Sequence, residues 1–148
     1  MLAQYGHVSV VPGNTLTQTQ SASAPTLTLD PKSTASPNGF TLLMIDPDAP
    51  SRKNPKAADW LHWLVINVPV TATGQLKVEG GKVVTAYNGP TPPKGTGAHR
   101  YVLVVFKQDS SLTIQAINNR AKFDTKKFIS DHGFGAPVAG TYYKVRND

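Results

Sequence analysis

The stretch over residues 40–69 constrains the fold more than any other part of the sequence. It begins with FTLLMI, which is almost entirely apolar and is bounded by turn residues, as is typical of a buried strand. Pro47 and Pro50 end this strand, because proline cannot donate to a sheet ladder and restricts the residue before it. The carboxylates of Asp46 and Asp48 are therefore predicted where a core strand ends.

A second strand, with the sequence WLHWLVINV, is predicted over residues 60–68. Successive side chains of a strand alternate between its two faces. His62 is therefore expected on an apolar face of this strand, together with Trp60, Leu64, Ile66 and Val68. A polar ring buried on such a face needs a hydrogen-bond partner, and the carboxylates at the end of the preceding strand are candidates.

The rest of the sequence predicts a mostly β fold with one or two short helices. Twelve glycines and twelve prolines among 148 residues, together with runs rich in Val, Thr and aromatic residues, favour strands joined by turns. We predict further strands over residues 8–11, 26–29, 99–106 and 142–145, and a hairpin over residues 76–87 that turns at Gly80 and Gly81. A short helix is predicted between Asp124, as its N-cap, and Gly133, as its C-terminal stop.

Composition limits the functional classes. The length predicts one domain, residues 1–148, and the absence of cysteine excludes disulfides and thiolate metal sites. Neither a signal peptide nor an apolar run of about 18 residues is found, so we expect a soluble, cytoplasmic chain with at most peripheral membrane contact. The net charge of +6 favours anionic partners, but the lysines are scattered and no nucleic-acid-binding motif is present. Phosphate or an acidic surface is therefore expected rather than nucleic acid.

Titratable side chains recur at the ends of the predicted core strands. His99 and Tyr101 are two residues apart at the start of a strongly apolar strand, so they face the same way. With Asp46, Asp48 and His62 they form a candidate site, and the glycine-rich loop over residues 89–97 would supply backbone N–H groups. Two imidazoles can donate hydrogen bonds to an oxyanion while a nearby carboxylate orients them. The pattern predicts binding of a small anion.

Each of these residues also has a simpler interpretation. Asp-Pro-Asp is a common turn sequence, and a single histidine on an apolar strand is usually a core residue with a satisfied ring. The same aspartates and histidines could instead hydrolyse a phosphoester by acid–base catalysis. No Ser-His-Asp order, cysteine or metal-ligand spacing supports that alternative, so we prefer a binding protein without metal or cofactor. His7 and His132 lack comparable surroundings and are assigned no role.

The motifs closely resemble those of the phosphatidylethanolamine-binding protein family, which includes the Raf kinase inhibitor proteins and the plant flowering regulators. The resemblance rests on DPDAPSR at residues 46–52, His62 before an apolar strand, GPTPPKGTGAHRY at residues 89–101 and APVAGT at residues 136–141. It covers about residues 8–143, and two long motifs in the same order make it specific.

The resemblance implies a large antiparallel β-sheet or sandwich core, short peripheral helices and a small pocket at the strand ends. The implied pocket residues are Asp46, Pro50, His62, Gly89, His99 and Tyr101, with Asp48 at the mouth. The implied ligand is phosphate, a phospholipid head group or a phosphorylated peptide. Members of the family act mainly by binding, and some inhibit kinases or serine proteases. We therefore expect a monomeric, non-enzymatic regulatory module with such an enzyme as its partner.

The sequence departs from the family pattern at two places. Animal members often have Gly-x-Gly where this chain has Gly89-Pro90-Thr91, so a side chain is expected in the pocket wall. Animal members also carry a C-terminal helix beside the pocket, whereas this sequence stops at Asp148, so we expect that helix to be absent and the pocket to be more open. The basic loop over residues 52–56 is a candidate contact surface for a protein partner, although a solvated turn has the same composition.

Overall fold

Two antiparallel sheets form most of the structure, which is a computed structural model describing residues 1–148. The strands and the single α-helix are β1 Leu2–Tyr5, β2 Val8–Ser9, β3 Thr26–Thr28, β4 Phe40–Asp46, β5 Trp60–Val68, β6 Lys82–Thr85, β7 His99–Lys107, α1 Thr125–Asp131 and β8 Ala139–Val145. The small sheet has the strand order β2-β1-β3, and the large sheet has the order β6-β5-β4-β7-β8. This architecture confirms the predicted mostly β class with a short peripheral helix.

The two faces of the large sheet pack against different partners. On β4, Phe40, Leu42 and Met44 belong to a large apolar cluster shared with the small sheet, whereas Leu43 belongs to a smaller cluster beneath α1. Because side chains alternate along a strand, Asp46 continues the row that faces the small sheet. The face toward the small sheet is called the inner face below, and Asp46 lies at its end.

A β-bulge places His62 on the inner face of β5. Met44 pairs with Trp63 and the next residue, Ile45, pairs with Leu61, so His62 is an extra residue in the ladder. Such a bulge interrupts strict alternation and redirects side chains. The prediction that His62 shares a face with Leu64 and Ile66 was therefore wrong, because those two pack beneath α1. The ring of His62 instead contacts Tyr101 on the inner face, with 5.2 Å between ring centroids.

The predicted helix is present with its predicted ends. The side chain of Asp124 accepts a hydrogen bond from the backbone N–H of Lys127, and Phe128 is the buried residue of the helix. Gly133 follows the C-cap residue His132 with a φ of +66°, a left-handed conformation that suits glycine. The length and apolar character needed for a membrane span are found in no helix of this structure.

Two strand predictions were wrong in detail. The residues around Gly80 form a short 3-10 turn, Val78–Gly80, and β6 pairs with β5 rather than with a preceding strand, so no hairpin turns at Gly80 and Gly81. The predicted opening strand is reduced to β2, and β1 precedes it. The strand β1 was not predicted, because its four residues are too few to show a clear alternation. Its residues Ala3 and Tyr5 are nevertheless buried in the large cluster.

Candidate functional site

A small cavity lies where β4, β5 and β7 reach the same end of the large sheet. Its volume is about 170 Å³. The lining residues are Asp46, Ala49, Pro50, Ala57, Trp60, His62, Asn88, Thr91, Pro92, Pro93, His99 and Tyr101. Strands therefore supply the titratable side chains, and the proline-rich loops supply most of the walls.

Five of the seven predicted site residues line this cavity. They are Asp46, Pro50, His62, His99 and Tyr101. The other two, Asp48 and Gly89, lie outside it and contact other parts of the chain. Ligand binding by these five residues stays a prediction. Thr91, expected in the wall because it interrupts the Gly-x-Gly pattern, is among the lining residues.

Asp46 and His99 form a buried pair, and both carboxylate oxygens and both ring nitrogens are hydrogen-bonded within the chain. The Nδ1 atom of His99 lies 2.8 Å from Oδ2 of Asp46, and Nε2 lies 3.0 Å from the hydroxyl of Thr96. The Thr96 hydroxyl donates to the carbonyl of Pro93, so it must accept from Nε2 of His99. The other oxygen of Asp46 accepts from the backbone N–H of Asp48 at 2.7 Å.

This arrangement changes the role predicted for His99. Both ring nitrogens are already bonded within the chain, so the predicted donation from His99 to a bound anion, which stays a prediction, would require Nε2 to exchange its bond with Thr96. His99 and Asp46 therefore fix the shape of the cavity wall, while the free hydrogen-bonding groups come from other residues.

His62 is the histidine with a free nitrogen. Its Nδ1 atom donates to the backbone carbonyl of Asn88 at 2.6 Å, and its Nε2 atom makes no hydrogen bond within the chain. Burial lowers the pKa of His62, and the bond to Asn88 and the charge of Asp46 oppose this only in part. The guanidinium of Arg120, which donates to the His62 carbonyl at 3.0 Å, also disfavours a charged ring. At neutral pH, Nε2 therefore presents a lone pair to the cavity.

Tyr101 supplies a hydroxyl donor beside His62. The two rings meet edge to face, and the other side of the Tyr101 ring stacks on Tyr143 with 5.7 Å between centroids. The side chain is buried, and its hydroxyl lies beside the carboxylate of Asp46. Burial and the charge of Asp46 raise the pKa of Tyr101, so its proton stays on the oxygen. The hydroxyl can therefore donate its proton either to Asp46 or to a ligand in the cavity.

Asp48 forms an ion pair with Arg100 outside the cavity. Its carboxylate accepts from the backbone N–H, Nε and Nη2 of Arg100 at 2.8, 2.9 and 2.7 Å. Burial alone would raise the pKa of Asp48, but the hydrogen bonds and charge of Arg100 outweigh it, and the pKa is lowered. Asp48 therefore does not line the cavity, and its predicted place at the mouth stays a prediction. The bonds between Asp48 and Arg100 connect the turn after β4 to the strand β7.

Gly89 has a packing role rather than a place in the cavity. A Cβ atom at this position would lie 2.9 Å from the carbonyl oxygen of Ser21 and 3.1 Å from backbone atoms of Ala22. We expect Gly89→Ala to lower the free energy of unfolding by about 1–3 kcal/mol through overpacking. Urea denaturation followed by circular dichroism measures this, with Gly135→Ala as a control that has open space for the Cβ atom. A stable Gly89→Ala variant with impaired ligand binding would contradict the packing role.

Sequence reasoning missed most of the cavity walls. Ala49, Ala57, Trp60, Asn88, Pro92 and Pro93 were not named as site residues, although all line the cavity. The proline–glycine loop after residue 87 was recognised as irregular, and its position between two site-bearing strands was the available signal. No group of three or more His, Asp or Glu side chains is arranged to hold a metal ion.

Two antiparallel sheets with a small cavity at their strand ends define a class of mostly β domains. A family model described as Phosphatidylethanolamine-binding protein matches residues 7–143. The chain therefore belongs to the phosphatidylethanolamine-binding protein family, as the motifs indicated.

Relatives extend this likeness. The 26 kDa secreted antigen of Toxocara canis is 38% identical over 93% of this chain, which spans 52% of the antigen's length. Protein TWIN SISTER of FT from Arabidopsis thaliana is 35% identical over 97% of this chain and 78% of its own length. The structure of carboxypeptidase Y inhibitor in complex with its cognate proteinase superposes with a TM-score of 0.85 and 25% identity, covering 99% of this chain and 82% of the inhibitor.

Proposed function

We propose that the chain is a non-enzymatic binding module whose cavity takes a phosphate group, either free, in a phospholipid head group or on a phosphorylated ligand. The observation that carries this proposal is the pair of polar groups that line the cavity, the unbonded Nε2 atom of His62 and the hydroxyl of Tyr101. Their rings lie 5.2 Å apart, so both can reach one small ligand.

The chemistry of the remaining wall suits a compact oxyanion. The side-chain amide of Asn88 makes no hydrogen bond within the chain and adds a further potential donor. Ala49 and Pro50 form apolar walls. A volume of about 170 Å³ is below the roughly 300–1,000 Å³ of pockets for drug-sized ligands, which favours a head group over a larger molecule.

Titration calorimetry with inorganic phosphate and with glycerophosphoethanolamine tests the proposal. At about pH 6, we expect His62→Ala to weaken binding by 10-fold or more, because a charged hydrogen bond contributes roughly 1.5–3 kcal/mol. Tyr101→Phe should weaken it by about 5-fold, because a neutral hydrogen bond contributes roughly 1 kcal/mol. His7→Ala, an exposed histidine outside the cavity, is the matched control. Unchanged affinity in both cavity variants would overturn the assignment.

Hydrolysis of phosphoesters is the competing function. The His62 nitrogen could act as a base, but the cavity walls contain neither serine nor cysteine as a nucleophile. An assay with p-nitrophenyl phosphate, with and without divalent metal ions, separates the two functions. Release of product that is lost in His62→Ala would favour the enzyme, and its absence would leave binding as the function.

The proposed regulatory role is inhibition of a kinase or a serine protease. The likeness to carboxypeptidase Y inhibitor over 99% of this chain supports this part of the proposal. Assays of representative kinases and serine proteases with excess chain test it, and unchanged rates across both enzyme classes would contradict it. Binding of a phosphate group would remain supported in that case, because the two parts depend on different observations.

A further inference from the structure

The outer face of the large sheet is uncovered along β7 and β8. Arg100 pairs with Lys144 across these strands, and Val102 pairs with Tyr142, so all four side chains share one face. The cluster beneath α1 covers β4, β5 and β6 and reaches β7 only at Val104 and Phe106. The ring of Tyr142 is consequently 39% exposed.

This face is basic and concave. Arg52, Arg100 and Lys144 line a depression of about 410 Å³ together with Val102 and Tyr142. A second depression of about 660 Å³ shares Arg52 and adds Lys53. No acidic residue lines either depression. The two together are called the basic outer face below.

The positive charge of the basic outer face is largely unneutralised. Arg52, Lys53 and Lys144 form no salt bridge within the chain, and the Asp48 carboxylate bonded to Arg100 is buried. The backbone N–H groups of Gly97 and Ala98, in the wall of the second depression, make no hydrogen bond either. Cations and free backbone donors around an apolar strip are suited to carboxylates that flank an aliphatic side chain.

We propose that the basic outer face docks an acidic peptide segment of a partner protein. Carboxylates would bind Arg52 and Lys144, and an aliphatic side chain between them would contact Val102 and Tyr142. The concave shape favours a protruding segment, whereas a flat anionic membrane contacts a convex or planar surface. The strand residues of this surface, Arg100, Val102, Tyr142 and Lys144, lie on the face of the sheet opposite the cavity, and we expect peptide binding there to be independent of the cavity ligand.

Fluorescence anisotropy with a labelled Glu/Leu peptide tests the docking surface. We expect the double variant Arg52→Glu, Lys144→Glu to weaken binding by about 10-fold or more, since reversed charges repel the probe. The double variant Lys77→Glu, Lys82→Glu makes the same change in net charge with exposed residues near the opposite edge of the sheet, and it should retain most of the affinity. Arg100 is left intact because it holds Asp48.

Four further measurements decide the assignment. Binding should weaken strongly between about 0.05 M and about 0.5 M salt, and a peptide with Gln in place of Glu should not bind. His62→Ala should bind the peptide normally, which separates this surface from the cavity. Equal loss in both charge-reversed variants would show a diffuse field and overturn the proposal. Binding to phosphatidylserine vesicles but not to the peptide would overturn it in favour of a membrane.

Discussion

Replacing Arg100 with alanine is expected to lower the free energy of unfolding by about 3 kcal/mol. The substitution leaves the Asp48 carboxylate, which is 1% exposed, without its charged partner. Removing one partner of a buried ion pair typically costs about 3–5 kcal/mol, because the other charge stays desolvated. We expect the lower end of that range, since the Arg100 side chain is itself 37% exposed and water can reach part of the vacated space.

Urea unfolding at neutral pH measures this loss, with Arg52→Ala as the matched control. Arg52 follows the same turn but forms no ion pair, so its removal should change stability by less than about 0.5 kcal/mol. The difference between wild type and Arg100→Ala should also depend on pH. Because the folded state lowers the pKa of Asp48, the stabilisation is present above the unfolded pKa and is lost as pH falls through the folded pKa. A difference that persists in strong acid would contradict the ion-pair explanation.

The three strands that carry the cavity could be predicted because their sequences leave little choice. The runs in β4, β5 and β7 are apolar, have strand length and are bounded by proline, glycine or polar loops. Local rules therefore located Asp46, His62 and His99 at strand ends. Their convergence followed from the family resemblance, because periodicity does not reveal the order of strands in a sheet.

Other features of the site depend on contacts between distant residues. The bulge at His62 depends on how β5 pairs with β4, and the packing role of Gly89 depends on the approach of residues 21 and 22. The bonding of His99 to Thr96 depends on the fold of a loop that has no periodic pattern. No single stretch of sequence encodes these contacts.

The position of Asp48 could have been anticipated from strand alternation. Arg100 is adjacent to His99, so it must point to the opposite face of β7. A buried carboxylate is stable only with a charged or hydrogen-bonding partner. Arg100 is the cation that β7 provides for Asp48, and it lies on that outer face. Asp46 and Asp48 were predicted to lie in one site, and this prediction did not separate the residue that bonds to His99 from the residue that bonds to Arg100. Asp46 instead bonds to His99 on the inner face of the sheet, and Asp48 bonds to Arg100 on the outer face.

Anion binding in the cavity is expected to weaken as pH rises, by up to about 10-fold per pH unit within a limited range. Burial lowers the pKa of His62 in the free chain, whereas an anion at Nε2 would favour the charged ring and raise that pKa. Below the free-state pKa, the ring is charged with or without ligand, and affinity is constant. Between the free-state and bound-state values, binding takes up one proton, so affinity falls with rising pH. Above both values, affinity is constant again and low.

Sulfate and glycerophosphoethanolamine are suitable probes, because a phosphomonoester loses its own second proton near pH 6 and would obscure the effect. Calorimetry in buffers of different ionisation enthalpy should show uptake of about one proton per bound anion. The variant His62→Gln keeps a polar side chain without a titrating ring, and its affinity should be low and independent of pH. A pH dependence that survives in His62→Gln would assign the proton to another group and remove His62 from the binding mechanism.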